Sequence, residues 1–152
     1  DALRKGQRFE AAIQEYQKIL RALKTYAPAA ASSLNARTFR QCSISFRMSI
    51  GECYEGLGRC REGVEVYRML LVDLSKPDAI ALFVGKPPDE AGLPEDSAWQ
   101  MAQFTYNKRI LVPMALGRCL LKCGDEEEGC KQFESVRAAI NDPELFPPGK
   151  TR

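Results

Sequence analysis

GECYEGLGRCREGVEVYRMLLVDLSKPD, residues 51–78, and GRCLLKCGDEEEGCKQFESVRAAINDPE, residues 117–144, align without a gap at an offset of 66 residues. Gly51 meets Gly117, Cys53 meets Cys119, Gly58 meets Gly124, Glu62 meets Glu128, Gly63 meets Gly129 and Pro77 meets Pro143. Aromatic Tyr67 faces aromatic Phe133, and Tyr54 and Leu70 face Leu120 and Val136. Chance rarely aligns three glycines, a glutamate and a proline together, so the two segments read as copies of one structural unit.

Each copy reads as two helices joined by a tight turn. Gly58 and Gly124 end the first helix, because glycine takes the left-handed conformation that closes a helix. The second helix carries Val64, Tyr67, Leu70, Leu71 and Leu74 in one copy, and Cys130, Phe133, Val136 and Ile140 in the other, all at helical spacing. Asp125, Glu126, Glu127 and Glu128 crowd the start of the last helix, where the backbone dipole favours negative charge. Both second helices should stop just before Pro77 and Pro143. Gly51, Gly63, Gly117 and Gly129 fall inside helices, where glycine costs ~1 kcal/mol relative to alanine. Close crossing of the two helices, with no Cβ on either, accounts for them without any ligand.

With these residues the chain resembles the tetratricopeptide repeat family. Ile50-Gly51, Tyr54, Gly58, Glu62-Gly63, Tyr67 and Pro77 follow that family's pattern. Leu116-Gly117, Leu120, Gly124, Glu128-Gly129, Phe133 and Pro143 follow it again. Glycine stands where the family usually has alanine, and the tryptophan near the repeat's start is missing. The resemblance implies an all-α fold of TPR-like helical hairpin repeats forming a short right-handed superhelix. Good copies of such a repeat lie ~34 residues apart. The extra length here implies elongated first helices and one loop insertion in preference to a degenerate repeat.

The remaining chain fits around these copies as a single domain of residues 1–152. Residues 1–27 read as the second half of a truncated repeat. Its turn lies at Lys5-Gly6, and its apolar stripe is Phe9, Ile13, Tyr16, Leu20 and Leu23. Residues 33–77 and 97–143 hold the two repeats, each opening with one long helix, Ser33–Leu57 and Ser97–Cys123. Phe39, Cys42, Phe46, Ile50, Tyr54 and Leu57 mark the first, and Pro113 should kink or split the second. Residues 78–96 form the insertion, with a short helix over Asp78–Val84 and a loop at Gly85–Asp96, rich in Pro, Gly and acid. Residues 144–152 are a fraying tail. The start in helix-forming sequence suggests a piece of a longer protein.

Composition narrows the function. The chain has 152 residues, 45% of them hydrophobic, and no histidine. That removes the commonest general base and every His-based metal site, so the expectation is no enzyme, no metal and no cofactor. No apolar run reaches the ~20 residues of a membrane span. The net charge is +2, yet residues 1–50 carry nine basic residues against three acids. This basic third offers an alternative function: binding nucleic acid or an acidic surface, if Arg4, Lys5, Arg8, Arg37, Arg40 and Arg47 share a face. Of the six cysteines, Cys119 and Cys123 share a helix face, but no CxxC pair exists. All six are expected as buried, reduced thiols in a reducing compartment, the cytoplasm or the nucleus. Glu62 and Glu128 read as structural acids. Trp99, the only tryptophan, reads as a core or loop-anchor residue.

The family resemblance further implies a protein-interaction scaffold, whose first helices line a concave groove that holds a partner peptide or helix. The partner is another protein, a further segment of the full-length chain, or a multiprotein complex. The groove face of the first repeat carries Ser45, Met48, Ser49, Glu52 and Glu55. In the last repeat it carries Leu111, Met114, Ala115, Arg118 and Lys122. The partner-binding residues expected on this basis are Met48, Ser49, Glu52, Leu111, Met114, Arg118 and Lys122. Arg118 and Met114 should then matter more to binding than Arg68 or Lys131 on the second helices. Chaperone-binding members of the family clamp a C-terminal carboxylate with Lys and Asn on these helices, and Met48 and Glu52 do not fit that clamp.

Overall fold

The computed structural model describes residues 2–26, 34–80, 95–143 and 145, with side chains described for 6–25, 41–80, 99–143 and 145. Every described element is a helix, and no strand occurs among the described residues. The order is α1 (Ala2–Tyr26), α2 (Leu34–Gly56), α3 (Cys60–Ser75), α4 (Glu95–Tyr106), a π-helical turn (Asn107–Leu111), α5 (Val112–Lys122) and α6 (Glu126–Ile140). Each packs chiefly on its neighbour: α1 on α2, α2 on α3, α3 on α5 and α5 on α6.

The two turns expected from glycine are built alike. Gly58 has φ +73° and Gly124 has φ +82°. The Arg59 N–H donates to the Tyr54 carbonyl at 2.9 Å and the Gly58 N–H to Glu55 at 3.1 Å. Asp125 and Gly124 repeat this on Leu120 (3.0 Å) and Leu121 (3.1 Å). This is the pair of bonds that satisfies the last carbonyls of a helix ending on a left-handed residue. Beyond each turn the helices cross closely. A Cβ on Gly63 would lie 3.4 Å from the Gly51 carbonyl oxygen, and one on Gly129 would lie 3.2 Å from that of Gly117. The rings of Tyr67 and Phe133 lie over Gly51 and Gly117. The second helices end at Ser75 and Ile140, close to the prolines. At the last of them, the Asp125 side chain accepts the Glu128 N–H at 3.4 Å.

The core lies between the hairpins. Tyr67, Leu70 and Leu74 of α3 are fully buried against Val112, Leu116, Cys119 and Leu120 of α5. Burying each of these leucines stabilises the fold by roughly 2 kcal/mol. A second cluster joins α1 to α2: Ile13, Ile50 and Cys53, with Phe9, Tyr16, Leu20, Tyr54 and Leu57 packed on it. Tyr16 and Phe46 meet there with ring centroids 5.7 Å apart.

Three expectations change. The turn expected at Lys5-Gly6 is absent: α1 runs without interruption from Ala2, and Gly6 keeps an ordinary helical backbone. Pro113 neither kinks nor splits a long helix in the expected way. The chain stays helical from Glu95 to Lys122 by widening one turn, in which the Val112 N–H bonds to the Asn107 carbonyl five residues back. Pro113 has no N–H to give, and in a regular α turn its ring would strike the Arg109 carbonyl; the wide turn avoids both problems. Finally, Cys130 and Ile140 of the apolar series on α6 are exposed, Ile140 at 52%. The expected helix over Asp78–Val84 has only its start, Ala79 and Ile80, among the described residues. The loop at Gly85–Asp96 up to residue 94 and the tail apart from Leu145 lie outside them. Leu145 packs on Ile110, Val136 and Ala139.

Candidate functional site

A groove of about 590 Å³ runs between α2 and the α4–π segment. Both walls come from first helices of the two hairpins. Ile44, Met48 and Phe104 form the floor, and each is buried. Gln41, Ser45, Ser49 and Glu52 rise along α2, while Trp99, Gln103, Asn107 and Leu111 rise along the other wall. Of the residues expected to bind a partner, Met48, Ser49, Glu52 and Leu111 therefore line one groove, with Ser45. Met114, Arg118 and Lys122 do not line it.

Arg118 and Lys122 border a smaller cleft of about 310 Å³, together with Glu52, Glu55 and Gly56. Glu55 is the centre of that cleft. Its side chain is only 5% exposed, yet it accepts four hydrogen bonds. Arg118 gives two, Nε to Oε2 at 3.0 Å and Nη2 to Oε1 at 2.8 Å. Lys122 Nζ gives one at 2.7 Å and the Tyr67 hydroxyl one at 3.0 Å. Burial works to raise the Glu55 carboxyl, but the bonds from Arg118, Lys122 and Tyr67 outweigh it and bring it down to about 2. The same contacts act in return. Burial and then the Glu55 charge push the Tyr67 hydroxyl up, and the hydrogen bond to Glu55 raises Arg118. Both cations are thus engaged within the chain, and Arg118 is a tie between α2 and α5. Met114 is 41% exposed on α5, and Ala115 is buried in the core.

Trp99 departs from expectation. It is 64% exposed and lines the groove, so it is not a core residue; the loop it was otherwise expected to anchor lies outside the described residues up to residue 94. The cysteines divide. Cys53 and Cys119 are buried, Cys42, Cys60 and Cys123 are half-buried, and Cys130 is exposed, against the expectation of six buried thiols. Burial, then the nearby Glu55, pushes Cys119 up to about 11. Burial and a hydrogen bond with Cys60 push Cys123 up to about 12. All six are free thiols, and among the described residues no cluster of three metal-ligating side chains occurs. Glu62 pairs with Arg59 at 2.7 Å and Glu128 accepts from Gln132 at 3.0 Å, both local contacts. Among the described residues no helix is long and apolar enough to cross a membrane.

Of the six basic residues expected to share a face, only Arg8 and Arg47 have described side chains. Arg47 is bound to Asp73 at 2.6 Å on α3, Arg8 is exposed on α1, and the side chains of Arg4, Lys5, Arg37 and Arg40 lie outside those described.

Sequence reasoning placed Glu55 on the groove face and missed its role. The signal was present: in the repeat Glu55 matches Leu121, a position that makes no ion pair, while two cations fall at the neighbouring positions 118 and 122. No family model matches this chain, and no curated protein or solved structure is significantly similar to it.

Proposed function

We propose that the chain is a non-catalytic protein-interaction module of tetratricopeptide-like hairpins, stacked with a right-handed superhelical sense, and that a segment of a partner protein docks in the groove between α2 and α4. The observation that carries this reading is the groove itself. It follows two first helices for about three turns each, it is rimmed by polar side chains, and an exposed tryptophan stands at its mouth. Exposed tryptophans are over-represented among residues that anchor protein interfaces. In stacked helical repeats the surface formed by equivalent helices is the one used for binding.

The test is site-specific photo-crosslinking in cell extract. A photo-reactive residue in place of Ser45, on the groove wall, should yield a discrete protein adduct. The same residue in place of Arg68, on the exposed side of α3, should not. Adducts at Arg68 alone, or at neither position, would remove the groove as the partner site.

A further inference from the structure

We infer that Cys60 and Cys123 form a dithiol site that hydrogen peroxide oxidises to a disulfide, joining the two hairpins by a reversible covalent bond.

The two cysteines come from different hairpins, and both sit at helix ends. Cys60 is the first residue of α3, and Cys123 caps the C-terminus of α5, just before the left-handed Gly124. Helices α3 and α5 pack on each other, and both thiols lie against the core between them. There the two side chains interact directly. Both are half-buried, which leaves them open to a small reagent. A disulfide demands a particular separation and angle of its two residues. The adjustment falls here on the terminal turns of two helices, where a helix frays most readily.

A third thiol lies close and is placed differently. Cys119 is fully buried, and its S–H donates to the Cys60 carbonyl at 3.1 Å. It ties the start of α3 to α5 and has no face open to a reagent. Cys42, Cys53 and Cys130 do not pack on this core. Cys60 and Cys123 are therefore the reactive pair.

Cys60 attacks first. An anion on its sulfur faces the positive end of α3, whereas burial, and then the bond and charge of Cys60, push Cys123 up to about 12. The Cys60 sulfur takes one oxygen of the peroxide, the O–O bond breaks, and the departing hydroxide becomes water with the proton that Cys60 released. Cys60 is then a neutral sulfenic acid. The negative charge that held the Cys123 proton is gone, so that proton leaves more easily. The Cys123 sulfur attacks the Cys60 sulfur. The S–S bond forms, the S–O bond breaks, and a second water departs. Two thiols have together given two electrons to one peroxide. A small thiol reverses the bond by exchange.

The test is mild oxidation of the whole chain with hydrogen peroxide, then alkylation in denaturant and peptide mass spectrometry. Cys60 and Cys123 should be lost together and recovered as one cross-linked pair within a single chain, whatever happens at exposed Cys130. Tm should rise by about 5 °C or more and fall back on treatment with dithiothreitol. Cys60→Ser should abolish the bridge, and Cys42→Ser should leave it intact. The mapping is made on the unaltered chain, so it stands even if a variant fails to fold. Oxidation confined to Cys130, a bridge to Cys119 or between chains, or Cys60 carried on to the sulfonic acid with no bridge would overturn the inference.

Discussion

Arg118 and Glu55, 63 residues apart in sequence, meet through two hydrogen bonds of 2.8 and 3.0 Å that join the first helix of one hairpin to the first helix of the next. Planar pairing of this kind is geometrically specific. Arg118→Glu would set a second carboxylate against one that is almost wholly buried. Lys122 would remain as a single counter-charge. The substitution should lower stability by roughly 2–4 kcal/mol, measured by urea unfolding, since breaking a buried pair leaves an uncompensated charge. Lys131→Glu, which removes an exposed contact to Glu127, should change stability by less than ~0.5 kcal/mol. Equal effects would mean that the Glu55 tie contributes nothing.

The same cluster sets an acid limit. Glu55 titrates at about 2 in the fold against an ordinary 4.5. A carboxyl whose folded pKa is depressed contributes stability that is fully present above the unfolded value and lost as pH falls toward the folded one. The window is therefore pH 4.5 down to 2. The contribution is at most ~3 kcal/mol, and less because Arg118 and Lys122 are half-exposed. Asp73 is depressed too: burial acts to raise it, and Lys76 and Arg47 outweigh that. It adds to the loss in the same direction. Unfolding curves from pH 6 to pH 2 should be flatter for Glu55→Gln than for the native chain. Parallel curves would assign acid sensitivity elsewhere.

The glycines separate by what a methyl group would meet. On Gly51 it would fall 2.3 Å from the Tyr67 ring, which is fully buried and has nowhere to go. On Gly63 it would fall 2.8 Å from the sulfur of Cys119, also fully buried. On Gly129 it would fall 2.9 Å from the end of Leu121, which is 42% exposed and free to move. Around Gly58 nothing lies within 4 Å, but φ is +73°. Gly51→Ala and Gly63→Ala should each cost about 1–3 kcal/mol by overpacking. Gly58→Ala should cost about 1 kcal/mol through backbone strain. Gly129→Ala should cost less than Gly51→Ala, since the one fixed atom in its way is the Gly117 carbonyl oxygen at 3.2 Å. Gly63→Leu should be more damaging than Gly129→Leu. Thermal unfolding of the series gives the order, and a Gly51→Ala variant as stable as Gly129→Ala would refute the crossing geometry.

Thiol accessibility follows the same packing. Thiolates react and thiols do not, so burial that raises the pKa also slows modification. With a disulfide reagent at pH 8, Cys130 should react first, as it alone is exposed. Cys53 and Cys119 should react only on unfolding. The denatured chain should titrate six thiols. Rapid loss of Cys119 in the native state would show that the junction between hairpins opens.

What was legible in the sequence was what local geometry dictates. Gly58 and Gly124 announce turns because only a left-handed residue fits there, and the repeated Gly51–Gly63 spacing announces the crossing. What was not legible depended on phase and on neighbours far along the chain. The π turn before Pro113 alters the helical phase between Trp99 and Leu116, which is why the apolar pattern of that helix read poorly and why Trp99 faces the groove. Val64 and Cys130 are equivalent in the repeat, yet Val64 is 6% exposed and Cys130 is open. Helix α5 covers α3, and among the described residues α6 packs chiefly on α5 and the π turn. Arg118 reads from the sequence as a free groove cation because its partner Glu55 belongs to a different repeat.

Ser45 gives the sharpest functional test. It is exposed on the α2 wall, between Gln41 and Ser49, so a larger side chain can extend into open space. Arginine also suits a helix at least as well as serine. Ser45→Arg should leave unfolding unchanged to within ~0.5 kcal/mol. It would nonetheless project a long cation into a groove of about 590 Å³, obstructing a ligand there. Partner affinity should fall at least tenfold, which is ~1.4 kcal/mol. Arg68→Glu alters charge as strongly on an exposed part of α3 and should leave affinity as it was. Calorimetry of the crosslinked partner, or of its bound segment, against both variants decides the matter. A Ser45→Arg protein that folds normally and binds normally would take the partner off this groove, and would leave the exposed faces of α3 and α6 to be searched.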